Sequence, residues 1–241
     1  LRAVGAAGVE EFYAEIPEAL RLKEPLRLPH PLLSEAELTR HVDGLLNKNR
    51  STREMLSFLG AGCYQHQVPA VCDEINSRGE FLTAYAGDPY EDHGRFQALF
   101  EYASMMGELL NMDVVNVPTY DGFQATATAL RMACRITGRT SVLLPENLSA
   151  DKLSKVAAYL RPEIVFERIP FDRRTGLLDL DRLKSKLDER RAAVYFENPA
   201  HLGLLETQAD QICGLAHEAG GLAVVGVNPI SLGVVHPPVE Y

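Results

Sequence analysis

The side chains of this 241-residue chain that are equipped for chemistry gather in a few short segments. Thr119-Tyr120-Asp121-Gly122 follows an apolar run and opens an alanine-rich stretch, Ala125-Thr126-Ala127-Thr128-Ala129. A helix that starts there exposes backbone N–H groups and the positive end of its dipole, an arrangement that binds phosphate. The competing use of Asp121 is as an N-cap, and its carboxylate would then repel a phosphate. Glu197-Asn198-Pro199 closes another apolar run. Its two polar side chains either face a ligand or form the turn that Asn-Pro favours. Residues 83–94, TAYAGDPYEDHG, hold Tyr85, Asp88, Tyr90, Glu91, Asp92 and His93. They suit either proton transfer to a small polar substrate or a solvated surface loop.

A further strand-end segment is Val227-Asn228-Pro229-Ile230-Ser231. An acidic side chain at such a place, beneath a pyridine ring, would hold the ring nitrogen protonated and strengthen an electron sink. Asn228 is neutral and cannot do this, which argues against a working pyridoxal site in this chain. The six lysines are Lys23, Lys48, Lys152, Lys155, Lys184 and Lys186, and none lies in the segment after Asn228. No Schiff-base lysine is identified among them. GxSxG, Walker A and GxGxxG motifs do not occur. The seven histidines are dispersed, with no HExxH or HxH pairing, so no metal site is expected.

These segments need elements to hold them. From residue 114 onward, apolar runs at 114–117, 141–144, 164–169, 192–196 and 222–227 read as strands. Helical patterns at 122–137, 150–160, 179–189 and 207–219 fall between most of them. Strand and helix in alternation predict an α/β fold with a largely parallel sheet, which binds ligands beyond the carboxyl ends of its strands. The first third reads differently. LRAVGAAGVEEFYAEI predicts an amphipathic helix. Pro25, Pro29 and Pro31 predict extended chain, and Ser34-Glu35-Ala36-Glu37 matches a capping box ahead of an apolar face of Leu38, Val42, Leu45 and Leu46. Further helices are expected at 69–77 and 95–111. The expected division is a helical N-terminal arm, 1–57, and a partial large domain, 58–241.

Composition narrows the function classes. A net charge of −9 with scattered Arg and Lys is the wrong balance for nucleic acid. No uninterrupted apolar stretch approaches the roughly 18 residues of a membrane span. The start of the chain makes a poor secretion signal, because Glu10 and Glu11 precede any apolar run. The four cysteines, Cys63, Cys72, Cys134 and Cys213, include no CxxC pair and read as free thiols in a reducing compartment. A cytoplasmic or organelle-matrix protein is expected.

Five segments, in order, resemble one family. FLGAGCYQHQVPAV at 58–71 resembles its glycine-rich FLGAG-Y stretch. FLTAYAGDPYEDHGRFQALFEYASMMGELLNMDVVN at 81–116 is similar to its TAYTPYQPE loop and FEYQTM-type helix. PTYDGFQATATA at 118–129 resembles its YDGATA turn, ENPAHLGLLE at 197–206 its ENPNFLGVIE, and VGVNPISLGVVHPPVEY at 225–241 its VGVDPISLGLLKPPGEY. The family is the P-protein of the glycine cleavage system, glycine dehydrogenase (decarboxylating), of the α-subunit type.

The resemblance implies the large domain of fold-type I pyridoxal-phosphate (PLP) enzymes. It also implies that the chain stops near the middle of the family's length, with the small C-terminal domain absent. The work would be shared with a β subunit that supplies the Schiff-base lysine and holds most of the PLP, so this chain would be inactive alone. The implied reaction decarboxylates glycine and passes the aminomethyl group to the lipoyl arm of the H-protein. Tyr64, Tyr85, Tyr90 and Glu91 would line the substrate channel or active-site wall. Asp121, Gly122, Glu197, Asn198 and Asn228 would form a cofactor-pocket-like remnant. Two departures stand out. The family's TAYTPYQPEISQG loop is shorter and rearranged here, and its aspartate before PISLG is Asn228. They leave room for a diverged non-catalytic scaffold of the same fold, and a fragment of another fold-type I PLP enzyme is the third reading.

Overall fold

The computed structural model describes residues 1–59, 66–79 and 93–241, apart from the side chains of 93–95. The chain divides into two units, Leu1–Phe58 and Leu59–Tyr241.

In the first unit none of the residues is buried. The expected opening helix is instead two short 3-10 turns, Arg2–Val4 and Val9–Tyr13. Two glycines cause the break. Gly5 takes a left-handed conformation at φ 72°, and Gly8 is extended. Helix α1 (Glu35–Leu46) starts at Ser34, whose hydroxyl makes no capping bond, and its apolar residues Leu38, Val42, Leu45 and Leu46 are exposed.

The second unit begins with helices α2 (Ala70–Asn76) and α3 (His93–Leu110). Residues 114–117, expected to be a strand, belong to none. Asn111 turns the chain at φ 53°, and Val114 and Val117 are exposed, so the β-branched run has no ladder partner among the described residues. The rest alternates as the apolar pattern predicts. Helix α4 (Gly122–Thr137), strand β1 (Ser141–Pro145), α5 (Ala150–Leu160), β2 (Val165–Ile169), α6 (Leu180–Lys186), β3 (Arg191–Glu197), α7 (Ala209–Glu218) and β4 (Leu222–Gly226) follow one another. Among the described residues the sheet has four strands in the order β2-β1-β3-β4, all neighbours parallel.

Burial on both faces explains the continuous apolar runs. Alternate residues of one strand point to opposite sides. Val142, Leu144, Ala193 and Tyr195 pack against Ala127, Leu130 and Ala133 of α4 and Val156 and Leu160 of α5. Leu143, Val194 and Phe196 pack against Leu183 of α6 and Ile212, Cys213 and Ala216 of α7. Each fully buried Leu, Ile or Phe contributes about 1.5–3 kcal/mol relative to leaving it exposed. Among the described residues, no helix is long and apolar enough to cross a membrane.

The amino ends of the strands are tied by arginine. Buried Arg191 donates to Glu167 Oε1 (2.5 Å), Ser141 Oγ (2.5 Å) and Lys186 O (2.9 Å). Arg139 donates to the carbonyls of Arg191 (2.8 Å) and Ala219 (2.9 Å). A cavity of about 470 Å³ lies there, lined by Arg139, Glu167, Arg190 and Arg191. It is at the end of the sheet away from the ligand-binding edge.

Candidate functional site

From β1 the chain moves outward on one side to β2, then returns to place β3 on the other. A crevice at the carboxyl ends is the consequence of such a reversal. Here it is a cavity of about 610 Å³. Gly122 and Thr126 of α4, Ser149 and Lys152 at the start of α5, and Tyr195, Glu197 and His201 from β3 and its loop contribute to its lining, with 224–229 from the end of β4.

Tyr195 and Glu197 are two residues apart on β3, so both project on the α4 and α5 side. Lys152 sits in the first turn of α5, fixed by Ser149, whose hydroxyl oxygen accepts from Lys152 N at 3.1 Å. Lys152 Nζ donates to Glu197 Oε1 at 2.5 Å and to the Tyr195 hydroxyl at 2.8 Å. The Tyr195 hydroxyl in turn donates to Glu197 Oε1 at 2.9 Å. The Thr126 hydroxyl lies 3.2 Å from the phenol oxygen and 2.9 Å from the Gly122 carbonyl. Burial, reinforced by the Glu197 charge, pushes the Tyr195 phenol far above its ordinary value of 10, so it remains a proton donor. The lysine and glutamate side chains are only 22% and 15% exposed, well short of a free surface pair. Gly226 makes the arrangement sterically possible. A Cβ there would fall 2.5 Å from the Tyr195 hydroxyl oxygen and 3.1 Å from Glu197 Cγ.

Of the residues expected from the sequence, Gly122, Glu197 and Asn228 all line this cavity. Asp121 is the N-cap of α4. Its Oδ1 accepts from Phe123 N at 2.9 Å, and its backbone is extended at φ −153°. Asn198 turns to the other side. It is buried, its Oδ1 accepts from Glu206 N at 3.1 Å, and its Nδ2 donates to the Tyr241 hydroxyl at 3.4 Å. Glu206 is a buried acid satisfied by the N–H groups of Leu178 (2.9 Å) and Gln208 (3.2 Å). Asn228 caps the 3-10 turn Pro229–Gly233, with Oδ1 accepting from Ile230 N at 3.2 Å. Tyr64, Tyr85, Tyr90 and Glu91 lie outside the described residues. Lys152, Tyr195 and Thr126 are not among the expected site residues; the signal in the sequence is the spacing Tyr195-Phe196-Glu197, which puts two polar groups on one strand face.

A pyridoxal phosphate does not fit these residues. The N-terminus of α4, where a phosphate would seek backbone N–H groups, is already capped, with the Phe123 amide donated to Asp121 Oδ1. Asn228 gives the ring nitrogen no charge partner. The Tyr195 phenol, Glu197 and Lys152 are engaged with one another inside the cavity.

The whole chain, residues 1–241, matches the family described as the glycine cleavage system P-protein. It is 40% identical over 245 residues to the probable glycine dehydrogenase (decarboxylating) subunit 1 of Carboxydothermus hydrogenoformans, covering 100% of this chain and 54% of that protein. The probable subunit 1 of Staphylothermus marinus is 39% identical over 251 residues, with 100% and 53% covered. The chain therefore spans about half the length of these relatives. Among solved structures, an inhibitor-bound glycine decarboxylase (P-protein) of the glycine cleavage system superposes with a TM-score of 0.82 at 35% identity, covering 100% of this chain and 53% of the other. Glutamate decarboxylase of Lactobacillus brevis superposes with a TM-score of 0.60 at 14% identity over 88% of this chain and 51% of its own, a likeness of fold alone.

Proposed function

Because the chain belongs to the glycine cleavage system P-protein family, we propose that it is the front part of subunit 1 of a glycine dehydrogenase (decarboxylating) whose PLP sits chiefly in a partner β subunit. The observation that carries this division of labour is the strand-end cavity. It has the position of a ligand site, yet its one lysine is paired with Glu197 and its helix N-terminus is capped by Asp121. The cofactor, where bound, supplies an electron sink for the electrons left when glycine loses carbon dioxide. This chain's part is structural and steric. It contributes wall to the active site, and Tyr64, Tyr85, Tyr90 and Glu91 are the residues we assign to the channel for glycine and the lipoyl arm of the H-protein. That assignment rests on the sequence resemblance. The Asp/Glu excess and the free thiols Cys72, Cys134 and Cys213 suit a cytoplasmic enzyme without a nucleic-acid partner.

Reconstitution tests the reading. Full-length subunit 1 carrying this sequence is mixed with its β subunit, PLP and lipoylated H-protein, and glycine-dependent exchange of labelled carbon dioxide is followed. Exchange that requires both subunits is the expected result. A stable complex without exchange would replace the reading with the diverged scaffold, which the neutral Asn228 favours. Exchange by subunit 1 alone would mean that the cofactor is held in this chain.

A further inference from the structure

We infer that the Lys152–Glu197 ion pair, braced by Tyr195, is a lock that closes this chain's own strand-end cavity to an aldehyde cofactor. The inference deepens the proposal that the partner holds the PLP, but it concerns this cavity alone and does not depend on which substrate the complex uses.

Lys152 is the lysine among the cavity-lining residues, and its position at a strand-end crevice is one where an amine would meet a ligand. To capture an aldehyde, an amine nitrogen must add its lone pair to the carbonyl carbon, after which water leaves. An ammonium held by a carboxylate has no lone pair to give. Nζ lies within hydrogen-bond distance of both Glu197 Oε1 and the Tyr195 hydroxyl. The phenol is itself fixed, since it is buried, it donates to Glu197, and it occupies the space above Gly226 that any other residue's Cβ would fill. A ring entering the cavity would have to separate the charges and expel the phenol together. The three groups come from two elements, Lys152 from α5 and Tyr195 and Glu197 from β3, which face each other across the cavity, so the lock forms only in the folded chain.

Full-length subunit 1, in complex with its β subunit, is incubated with excess pyridoxal phosphate, and any imine is reduced with borohydride to a stable amine. The digest is then mapped by mass spectrometry. The β subunit's label reports that the complex is folded and loaded. The expected result is no phosphopyridoxyl group on Lys152 in the wild type. With Glu197→Gln, which removes the carboxylate bonded to Nζ, we expect phosphopyridoxyl label to appear on Lys152. Glu197→Asp, which shortens the carboxylate and keeps its charge, should give an intermediate amount and serves if the glutamine variant fails to assemble. Label on wild-type Lys152 would overturn the inference. So would Lys152 staying unlabelled in both variants while the β subunit is labelled as in the wild type, because something other than the ion pair would then close the cavity. Loss of glycine exchange with this labelling pattern intact would refute the functional reading and leave the lock standing.

Discussion

The ion pair at the strand ends also has a thermodynamic signature. In Lys152→Met the carboxylate of Glu197 keeps the Tyr195 donor and loses its ammonium; in Glu197→Gln the ammonium keeps Tyr195 and loses its counter-charge. Removing one partner of a fully buried pair costs about 3–5 kcal/mol, because the other is left uncompensated. Here the side chains are 22% and 15% exposed, so water screens part of that loss. We expect each single variant to lose about 1–2 kcal/mol, which for a chain of this size lowers Tm by about 2–8 °C. Once one partner is gone, removing the other costs little more. The double variant should therefore resemble the worse single one, with a coupling of about 1–2 kcal/mol. Urea unfolding of the four proteins, followed by circular dichroism, measures the cycle. Losses that add to within about 0.5 kcal/mol would show that the two groups do not act together and would refute the geometry on which the lock rests.

Two further outcomes follow from individual contacts. Gly226→Ala places a methyl group 2.5 Å from the Tyr195 hydroxyl, so the phenol must shift, at a cost of about 1–3 kcal/mol read from the melting temperature. A wild-type melt would mean that the phenol moves aside freely. The pH dependence turns on Glu167. Its hydrogen bond from Arg191, with help from Lys186, holds its carboxyl below the ordinary value of 4.5. The folded state thus favours the ionised form. The stabilisation is fully present above about pH 4.5 and is lost as pH falls through the lower folded value. Glu167→Gln should accordingly be less stable than wild type at neutral pH and should match it in acid; a gap that persists in acid would assign the effect to packing. The side chain is 43% exposed, so the gap should be modest.

Local pattern was sufficient for much of the fold. Helices α4 and α5 have the limits that the sequence predicts, and the four strands fall within a residue of their expected ends; in β1 and β3 burial on both faces forces unbroken apolar runs. The segment at 114–117 misled because its valines favour extended chain while a strand also needs a neighbour to bond. The opening segment misled because amphipathic spacing does not outweigh glycines at positions 5 and 8.

The candidate site divides in the same way. By itself the sequence determined the family resemblance, the α/β order, and that Gly122, Glu197 and Asn228 stand at element ends, since those follow from residue type and short-range spacing. It also determined that Asn228 carries no charge. Only the tertiary structure decided that Asp121 caps its helix, that Asn198 turns away to clip Glu206 and Tyr241, and that Lys152 crosses the cavity to Glu197, 45 residues later in the chain. The reason is the sheet order. A parallel sheet that reverses at β1 and β3 brings the start of α5 against the end of β3, and no spacing along the chain records which carboxyl ends will meet.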